Sequence, residues 1–331
     1  MSSFKPNRTI GNPAKFDLSF EEDRFKFGKV VIEKDNGSLR CHYYDHSPWK
    51  FESKNAKAFS FFKQIERADK SLTLPDFPPI KIYFIDVPPT AKIINESIEP
   101  ILFQSYIDKK EPECPPNLAR HPSSICCPDF TFWDWCGMKY EKYLHRIRSA
   151  GNSSPKSDKM FWRGMKYPKL RGPLVDLSEK YPNLIDAQFS KPNQNDPNFI
   201  SLEDAVLGYK YLIDLQASGW SPRVKYFLQS RRLTFLQERF HKAYYEKHLI
   251  PMEHYIPIKK DLSDLVEKIE WANGNPHEVK RITDNAFNFS LAHLSINSVN
   301  ETWLSIAEFC SLPEVDGWRD DLNFEKFLDS L

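Results

Sequence analysis

Apolar and polar positions follow two alternating periods in the second half of the chain. Short apolar runs of strand length lie at 160–162, 184–187, 210–215 and 233–235. Helical spacing predicts helices over 174–180 and 224–229, a helix capped by Asp261, and another beginning at Asn275-Pro276. Because strands alternate with helices, the pattern predicts a parallel sheet, which binds ligands at the carboxyl ends of its strands.

The first half of the chain is less regular. Its pattern predicts strands at 30–32, 81–85 and 101–107, and a helix over 58–68 with an apolar stripe at Phe59, Phe62 and Ile65, with Phe61 as a further candidate. The segments 33–56 and 108–130 carry prolines or histidines without a clear period, which predicts long loops.

One stretch resembles a linker between domains. Residues 151–157 are small, polar and rich in turn formers, so a boundary is expected there. The predicted organisation is an N-terminal domain over 1–150, a C-terminal ligand-binding domain over 158–300, and a helical tail over 301–331 that packs back on the N-terminal domain.

Charge and composition disfavour several classes of protein. Lys and Arg number 46 and Asp and Glu 45, so no overall field would attract nucleic acid. No run of about 18 apolar residues occurs, and the first thirty residues hold no run of signal-peptide length. The six cysteines form no Cys-x-x-Cys pair, which is typical of reduced thiols. The expected location is the cytoplasm, with at most peripheral association with the inner face of a membrane.

Three arginines lie at predicted strand-to-helix junctions: Arg163, Arg171 and Arg223. Ser221-Pro222 can begin a helix whose free N–H groups and positive dipole face an anion, and a guanidinium can grip phosphate with two N–H groups. The alternative is an ordinary capped helix with solvated arginines. The motifs of classical dinucleotide oxidoreductases and P-loop phosphotransferases are missing, which disfavours both classes.

Two further features have both a chemical and a structural interpretation. Asp86 closes the strand at 81–85, where a carboxylate can accept a proton from an attacking hydroxyl or can simply cap the turn. The ring-rich segment 129–135 can stack a sugar or belong to the core. Asp129 and Asp134 are five residues apart, which does not match an Asp-x-Asp metal-binding motif, so no metal is expected.

Several ordered motifs between about residues 124 and 290 resemble glycosyltransferase family 90. Residues 130–134 resemble its aromatic Thr-Phe-Trp loop, and Ser221-x-Arg223 with Lys225 resembles its donor-binding turn. The other matching segments are Phe161-Trp162-Arg163-Gly164 with Arg171 and Pro173-Leu174, Leu184 to Ala187, Tyr209 to Ile213, and His254 to Ile258 followed by Asp261 to Leu265.

The resemblance implies a GT-B-like α/β fold, in which two Rossmann-like domains face a central cleft. It implies an acceptor-side N-terminal domain with Asp86 as general base, and Phe132 and Trp133 as aromatic contacts to the acceptor or sugar. The donor diphosphate would be bound by residues of the C-terminal domain, namely Arg171, Ser221, Arg223, Arg163 and Gly164. Inverting displacement without metal or cofactor is implied, with arginines stabilising the departing UDP.

The implied activity is transfer of glucose, xylose or galactose from a UDP-sugar to a hydroxyl of a surface glycan such as lipopolysaccharide. Its partners would be the UDP-sugar donor and an oligosaccharide or glycolipid acceptor, with no nucleic acid and no stable membrane insertion. Met165 stands where the family often has Ser, which affects one donor hydrogen bond. A protein O-glycosyltransferase of the same fold, and a catalytically idle carbohydrate- or nucleotide-binding protein, are the alternatives.

Overall fold

The chain divides into two compact units, residues 1–139 with 296–331 and residues 140–295. The computed structural model describes residues 7–9, 29–44, 52–83, 101–107, 124–135, 137–166, 171–191, 195–216, 220–312 and 327–328. Asp86 lies outside these described residues.

The first unit contains one mixed sheet. Its elements before residue 140 are β1 (Asn7–Thr9), β2 (Lys29–Asp35), β3 (Ser38–Tyr44), α1 (Glu52–Leu72), β4 (Phe77–Tyr83), β5 (Ile101–Phe103), β6 (Tyr106–Ile107), β7 (Ser124–Cys126), a 3-10 turn (Phe130–Phe132), β8 (Asp134–Trp135) and β9 (Met138–Lys139). The strand order of the mixed sheet is β1-β3-β2-β4-β5-β7, in which β1 to β4 pair antiparallel and β4, β5 and β7 pair parallel.

The prediction of a loop over 33–56 is wrong, because most of the residues that the structure describes in this range belong to β2, β3 and α1. Strands β2 and β3 form a hairpin whose turn is Asn36-Gly37, with φ angles of 49° and 71°. Both angles are positive, as a type I′ turn requires, and Asn-Gly is the strongest short signal for this turn. The signal was therefore present in the sequence. The predicted loop over 108–130 is likewise interrupted by β7.

Helix α1 extends the predicted helix at both ends, and most of the expected stripe is buried. Phe61, Phe62 and Ile65 are buried, whereas Phe59 is 40% exposed. Helix α8 (Ile296–Ser311) belongs to this unit although it follows the second unit in sequence. Its Trp303 is buried and donates to Gln64 of α1 at 3.2 Å.

The second unit is built around a five-stranded parallel sheet. Its elements are α2 (Tyr140–Gly151), β10 (Ser157–Gly164), α3 (Gly172–Lys180), β11 (Ile185–Phe189), α4 (Leu202–Gly208), β12 (Tyr209–Asp214), α5 (Val224–Phe227), β13 (Leu233–Gln237), β14 (His241–Lys242), a 3-10 turn (Glu246–His248), β15 (Ile256–Ile258), α6 (Leu265–Gly274) and α7 (Pro276–His293). The strand order of the sheet is β11-β10-β12-β13-β15. Its apolar core brings alternate strand residues together with residues of three helices. The predicted α/β class is confirmed.

Two predicted helix caps are wrong. Helix α6 begins at Leu265, and Asp261 accepts a hydrogen bond from the Ser263 amide, so it does not cap that helix. Asn275 donates to the Trp271 carbonyl, which closes the end of α6, and makes no side-chain cap for α7. Pro276 does occupy the first turn of α7, where its missing N–H costs nothing.

The expected boundary at 151–157 lies inside the second unit, because α2 belongs to that unit. Gly151 ends α2 against the segment that carries Ser230, and a Cβ there would overlap the Ser230 carbonyl oxygen. Buried Arg232 donates to the carbonyls of Gly151 at 3.1 Å and Val206 at 2.9 Å. The turn formers therefore end a packed helix; they do not separate domains.

Replacing Arg232 tests this attachment. Its guanidinium serves carbonyls at the carboxyl ends of α2 and α4, where a positive charge also meets the negative ends of the helix dipoles. We expect Arg232→Met to lower the free energy of unfolding by about 3 kcal/mol in urea, because buried carbonyls lose their partners. Arg231→Met, at the neighbouring half-exposed arginine, should cost less than about 1 kcal/mol. Equal losses would contradict the assignment.

Within the described part of the chain, no helix is both long and apolar enough to cross a membrane.

Candidate donor site

The order of the five strands places a crevice between β10 and β12. The first and third strands of the unit in sequence are neighbours, and the chain leaves them in opposite directions, to β11 on one side and β13 on the other. Sheets of this 2-1-3-4-5 order bind ligands at that switch point, outside the carboxyl ends of the strands. Strand β10 ends at Gly164 and β12 at Asp214, so the residues that follow these two positions line the candidate site.

Asp214 is a fully buried carboxylate at the end of β12. Its Oδ1 accepts from the Ser221 hydroxyl at 2.9 Å and pairs with Arg223 at 2.8 Å, and its Oδ2 pairs with Arg239 at 2.5 Å. Burial alone would raise the pKa of Asp214, but the attraction of Arg223 and Arg239 holds that pKa below its usual value. The group is therefore a fixed negative charge between two guanidinium groups.

Arg223 is held at two points and remains partly open. One guanidinium nitrogen pairs with Asp214, and the other donates to the Arg163 carbonyl at 2.8 Å. A guanidinium has five N–H groups, so further donors have no partner among the described residues. The side chain keeps 17% of its surface exposed. These features fit a clamp that is oriented before an anion arrives.

Arg171 lies at the start of α3 and contacts the segments that follow both β10 and β12. It is 7% exposed and donates to the carbonyls of Gln216 at 3.3 Å and Met165 at 3.2 Å. Burial lowers the pKa of Arg171 and the charge of Arg223 lowers it further, while Asp214 raises it. The charge of Arg223 therefore disfavours the charged form of Arg171, an effect that a bound anion would offset.

Arg163 and Gly164, also predicted to bind the donor, have different surroundings. The Arg163 side chain pairs with Asp186 at 2.8 Å, and only its backbone carbonyl reaches Arg223. Alternate side chains of a strand point to opposite faces, which directs Arg163 away from the face that carries Trp162. At Gly164, a Cβ would lie 2.7 Å from the Trp162 ring, so the glycine is needed for packing.

The predicted helix cap at Ser221 is wrong. Helix α5 has four residues and begins at Val224, with Arg223 at the cap position. The Ser221 hydroxyl donates to Asp214 at 2.9 Å and accepts from the Arg223 amide at 3.5 Å, so it holds the turn that precedes α5 and does not cap the helix itself. A helix of one turn has a small dipole, so the positive charge of the site comes from its arginines and not from the helix end.

The aromatic residues predicted to contact the acceptor lie in the first unit. Phe132 is fully buried, so its ring is part of the core and cannot stack a sugar. Trp133 is partly exposed, and Lys139 Nζ lies 4.3 Å from its ring centroid. No group of three or more potential metal ligands occurs among the residues that the structure describes.

The sequence interpretation missed Asp214 and Arg239. Asp214 directly follows the apolar run Tyr211-Leu212-Ile213. It is therefore a carboxylate at the carboxyl end of a strand, which is the position that made Asp86 a candidate. Arg239 follows β13 by two residues, so it is a fourth arginine at a strand end. The signal was present for both, but it did not distinguish a site residue from a turn residue.

Three comparisons with known proteins bear on this site. Residues 118–314 match the family model described as glycosyl transferase family 90. Protein O-glucosyltransferase 3 of Rattus norvegicus is 33% identical over 144 residues, which cover 40% of this chain and 28% of the relative. Protein O-glucosyltransferase 1 of Bos taurus is 28% identical over 205 residues, which cover 54% of this chain and 51% of the relative. The chain thus spans between about a quarter and a half of these curated relatives.

Solved structures overlap the chain in part. A glycosyltransferase from Rickettsia africae covers 68% of this chain and 68% of its own length, with a TM-score of 0.40 and 12% identity. The Anabaena protein HepE, solved with UDP-glucose, covers 50% of this chain and 44% of its own, with a TM-score of 0.33 and 7% identity.

Proposed function

The chain belongs to glycosyltransferase family 90, and from that premise we propose that it transfers a sugar from a UDP-sugar donor to a hydroxyl group. The observation that supports this proposal best is the pair of guanidinium groups, Arg171 and Arg223, at the switch point of the parallel sheet.

The chemistry of transfer requires stabilisation of a leaving diphosphate. As the bond between the sugar and the phosphate oxygen breaks, negative charge increases on the UDP, and preoriented donors stabilise that charge most effectively. Arg223 is already oriented by Asp214 and by the Arg163 carbonyl, so little reorganisation is needed when the charge develops. We propose that Arg171 and Arg223 stabilise the negative charge that develops on the leaving UDP, and that no metal is required.

The remaining features of the reaction are proposals that rest on the family resemblance. Asp86 acts as the general base that takes the proton from the attacking hydroxyl, and displacement inverts the anomeric centre. The donor sugar is glucose, xylose or galactose, and the acceptor is a surface glycan such as lipopolysaccharide.

A second acceptor class has an observation in its favour. The curated relatives named above are protein O-glucosyltransferases, which makes a protein hydroxyl the alternative acceptor. Addition of a deacylated lipopolysaccharide or of a small folded protein domain would distinguish the two, because only the true acceptor accelerates release of UDP.

The test of the proposed function is UDP release from UDP-glucose, UDP-galactose, UDP-xylose and UDP-N-acetylglucosamine, each with and without EDTA. We expect slow hydrolysis of one of the first three donors, unchanged by EDTA. We also expect UDP to raise the melting temperature, since a ligand at 100 times its Kd adds about 2.7 kcal/mol. If the protein shows no turnover and UDP does not stabilise it, the result would favour an idle binding protein. Turnover that EDTA abolishes would contradict the metal-free mechanism.

A further inference from the structure

A chain of buried charges lies behind the donor site. Arg239 is 3% exposed and bridges two carboxylates, with Asp214 at 2.5 Å on one side and Glu246 at 2.7 Å on the other. Glu246 is anchored in turn, because its other oxygen accepts from the Ala243 amide at 2.9 Å. Arg239 therefore connects the turn after β13 to the carboxylate at the end of β12.

Stability alone does not account for this chain of charges. Burying ions costs several kcal/mol each, and apolar residues of similar volume are often as stable as a buried ion pair. Moreover, Arg239 Nε is buried and has no partner among the described residues. The Arg239 guanidinium therefore binds both carboxylates through its two terminal nitrogens, while its Nε–H donor is left unsatisfied.

The two oxygens of Asp214 have separate partners. Oδ2 contacts Arg239 on the buried side, whereas Oδ1 contacts Ser221 and Arg223 on the side of the site. With one oxygen fixed by Arg239, the carboxylate plane cannot rotate freely, and Oδ1 presents a defined direction to Arg223. The orientation of the Arg223 fork therefore depends on a residue that is not exposed to the ligand.

We propose that Arg239 is a positioning residue for donor binding. It fixes Asp214 between Glu246 and the site, Asp214 fixes Arg223, and Arg223 meets the diphosphate of the donor. Arg239 itself touches no substrate, since its side chain is 2% exposed. This inference rests on the proposed function, because it concerns the diphosphate subsite of the same site.

Arg239→Lys is the variant that tests the proposal, because it keeps the positive charge but loses the fork that spans both carboxylates. We expect the Kd for UDP, measured by calorimetry, to rise at least about tenfold. The Kd for uridine, measured by NMR titration, should change less than about twofold, because uridine has no diphosphate. In an Arg223→Ala background, Arg239→Lys should have almost no further effect on UDP, as expected for residues that act in series.

Glu246→Gln is the second variant and decides the matter if Arg239→Lys does not fold. A glutamine oxygen can accept from only one of the two donors that Glu246 serves, so Arg239 loses part of its support. Loss of a negative charge would by itself tighten binding of a diphosphate, whereas a positioning role predicts UDP binding about threefold weaker.

Three results would overturn the inference: equal losses for UDP and uridine, additive losses in the Arg223→Ala background, or tighter UDP binding by Glu246→Gln. A wild-type protein that does not bind UDP would overturn the proposed function itself. The two failures are therefore distinguishable from the wild-type titration alone.

Discussion

Arg223→Ala is expected to weaken UDP binding by at least about 100-fold. The arginine offers charge-assisted hydrogen bonds to the diphosphate, each worth roughly 1.5–3 kcal/mol, and 1.4 kcal/mol corresponds to a factor of ten. The variant also takes one partner from buried Asp214, which retains Arg239 and Ser221. Calorimetric titration with UDP, on protein shown to be folded by circular dichroism, measures the effect.

Two control variants separate the clamp from a general effect of charge. Arg223→Lys keeps the charge without the planar fork, so it should recover only part of the affinity. Arg231→Ala removes a partly exposed arginine just before β13, at the amino ends of the strands and away from the site at their carboxyl ends, and should leave UDP affinity unchanged. If Arg223→Ala bound UDP with the affinity of the wild type, Arg223 would not bind the diphosphate and this part of the proposal would be wrong.

Asp86→Asn is expected to lower the rate of sugar transfer by about 10²–10⁴-fold, the contribution typical of a general base. Asparagine keeps the size of the side chain but cannot take the proton of the attacking hydroxyl. The affinity for UDP should stay within twofold of the wild type, because the donor diphosphate is proposed to bind residues of the second unit. The measurement is UDP release in the presence of acceptor, together with a UDP titration of the same preparation.

Asp35→Asn provides the matched control for this second prediction. Asp35 is an exposed carboxylate of the first unit, paired with Arg40 at 3.1 Å on the surface of the hairpin, so its loss should not affect transfer. Transfer that survives Asp86→Asn would mean that another group is the base, or that residues around 86 do not correspond to the family's catalytic segment.

The sequence was most informative about the second unit. Its central strands β12 and β13 are largely buried on both faces, so each is a short apolar run bounded by turn residues, and this pattern predicts their positions to within a few residues. The first unit was harder, because β2 and β3 are partly exposed and their polar positions resemble a loop. There the Asn36-Gly37 turn was the informative signal, and it depends on two positive φ angles and not on hydrophobic period.

The sequence by itself determined the α/β class, four of the five parallel strands of the second unit (all but β15), and the positions of Arg171 and Arg223 at strand-to-helix junctions. These properties follow from local periodicity and from residue types at the ends of runs. Only the tertiary structure decided that the Arg163 side chain pairs with Asp186 and that Phe132 is buried in the core. It also decided that Asp214 pairs with both Arg223 and Arg239. The physical reason is that these facts depend on which strands are neighbours, and residues 214, 223, 239 and 246 meet only after the sheet has brought separate strand ends together.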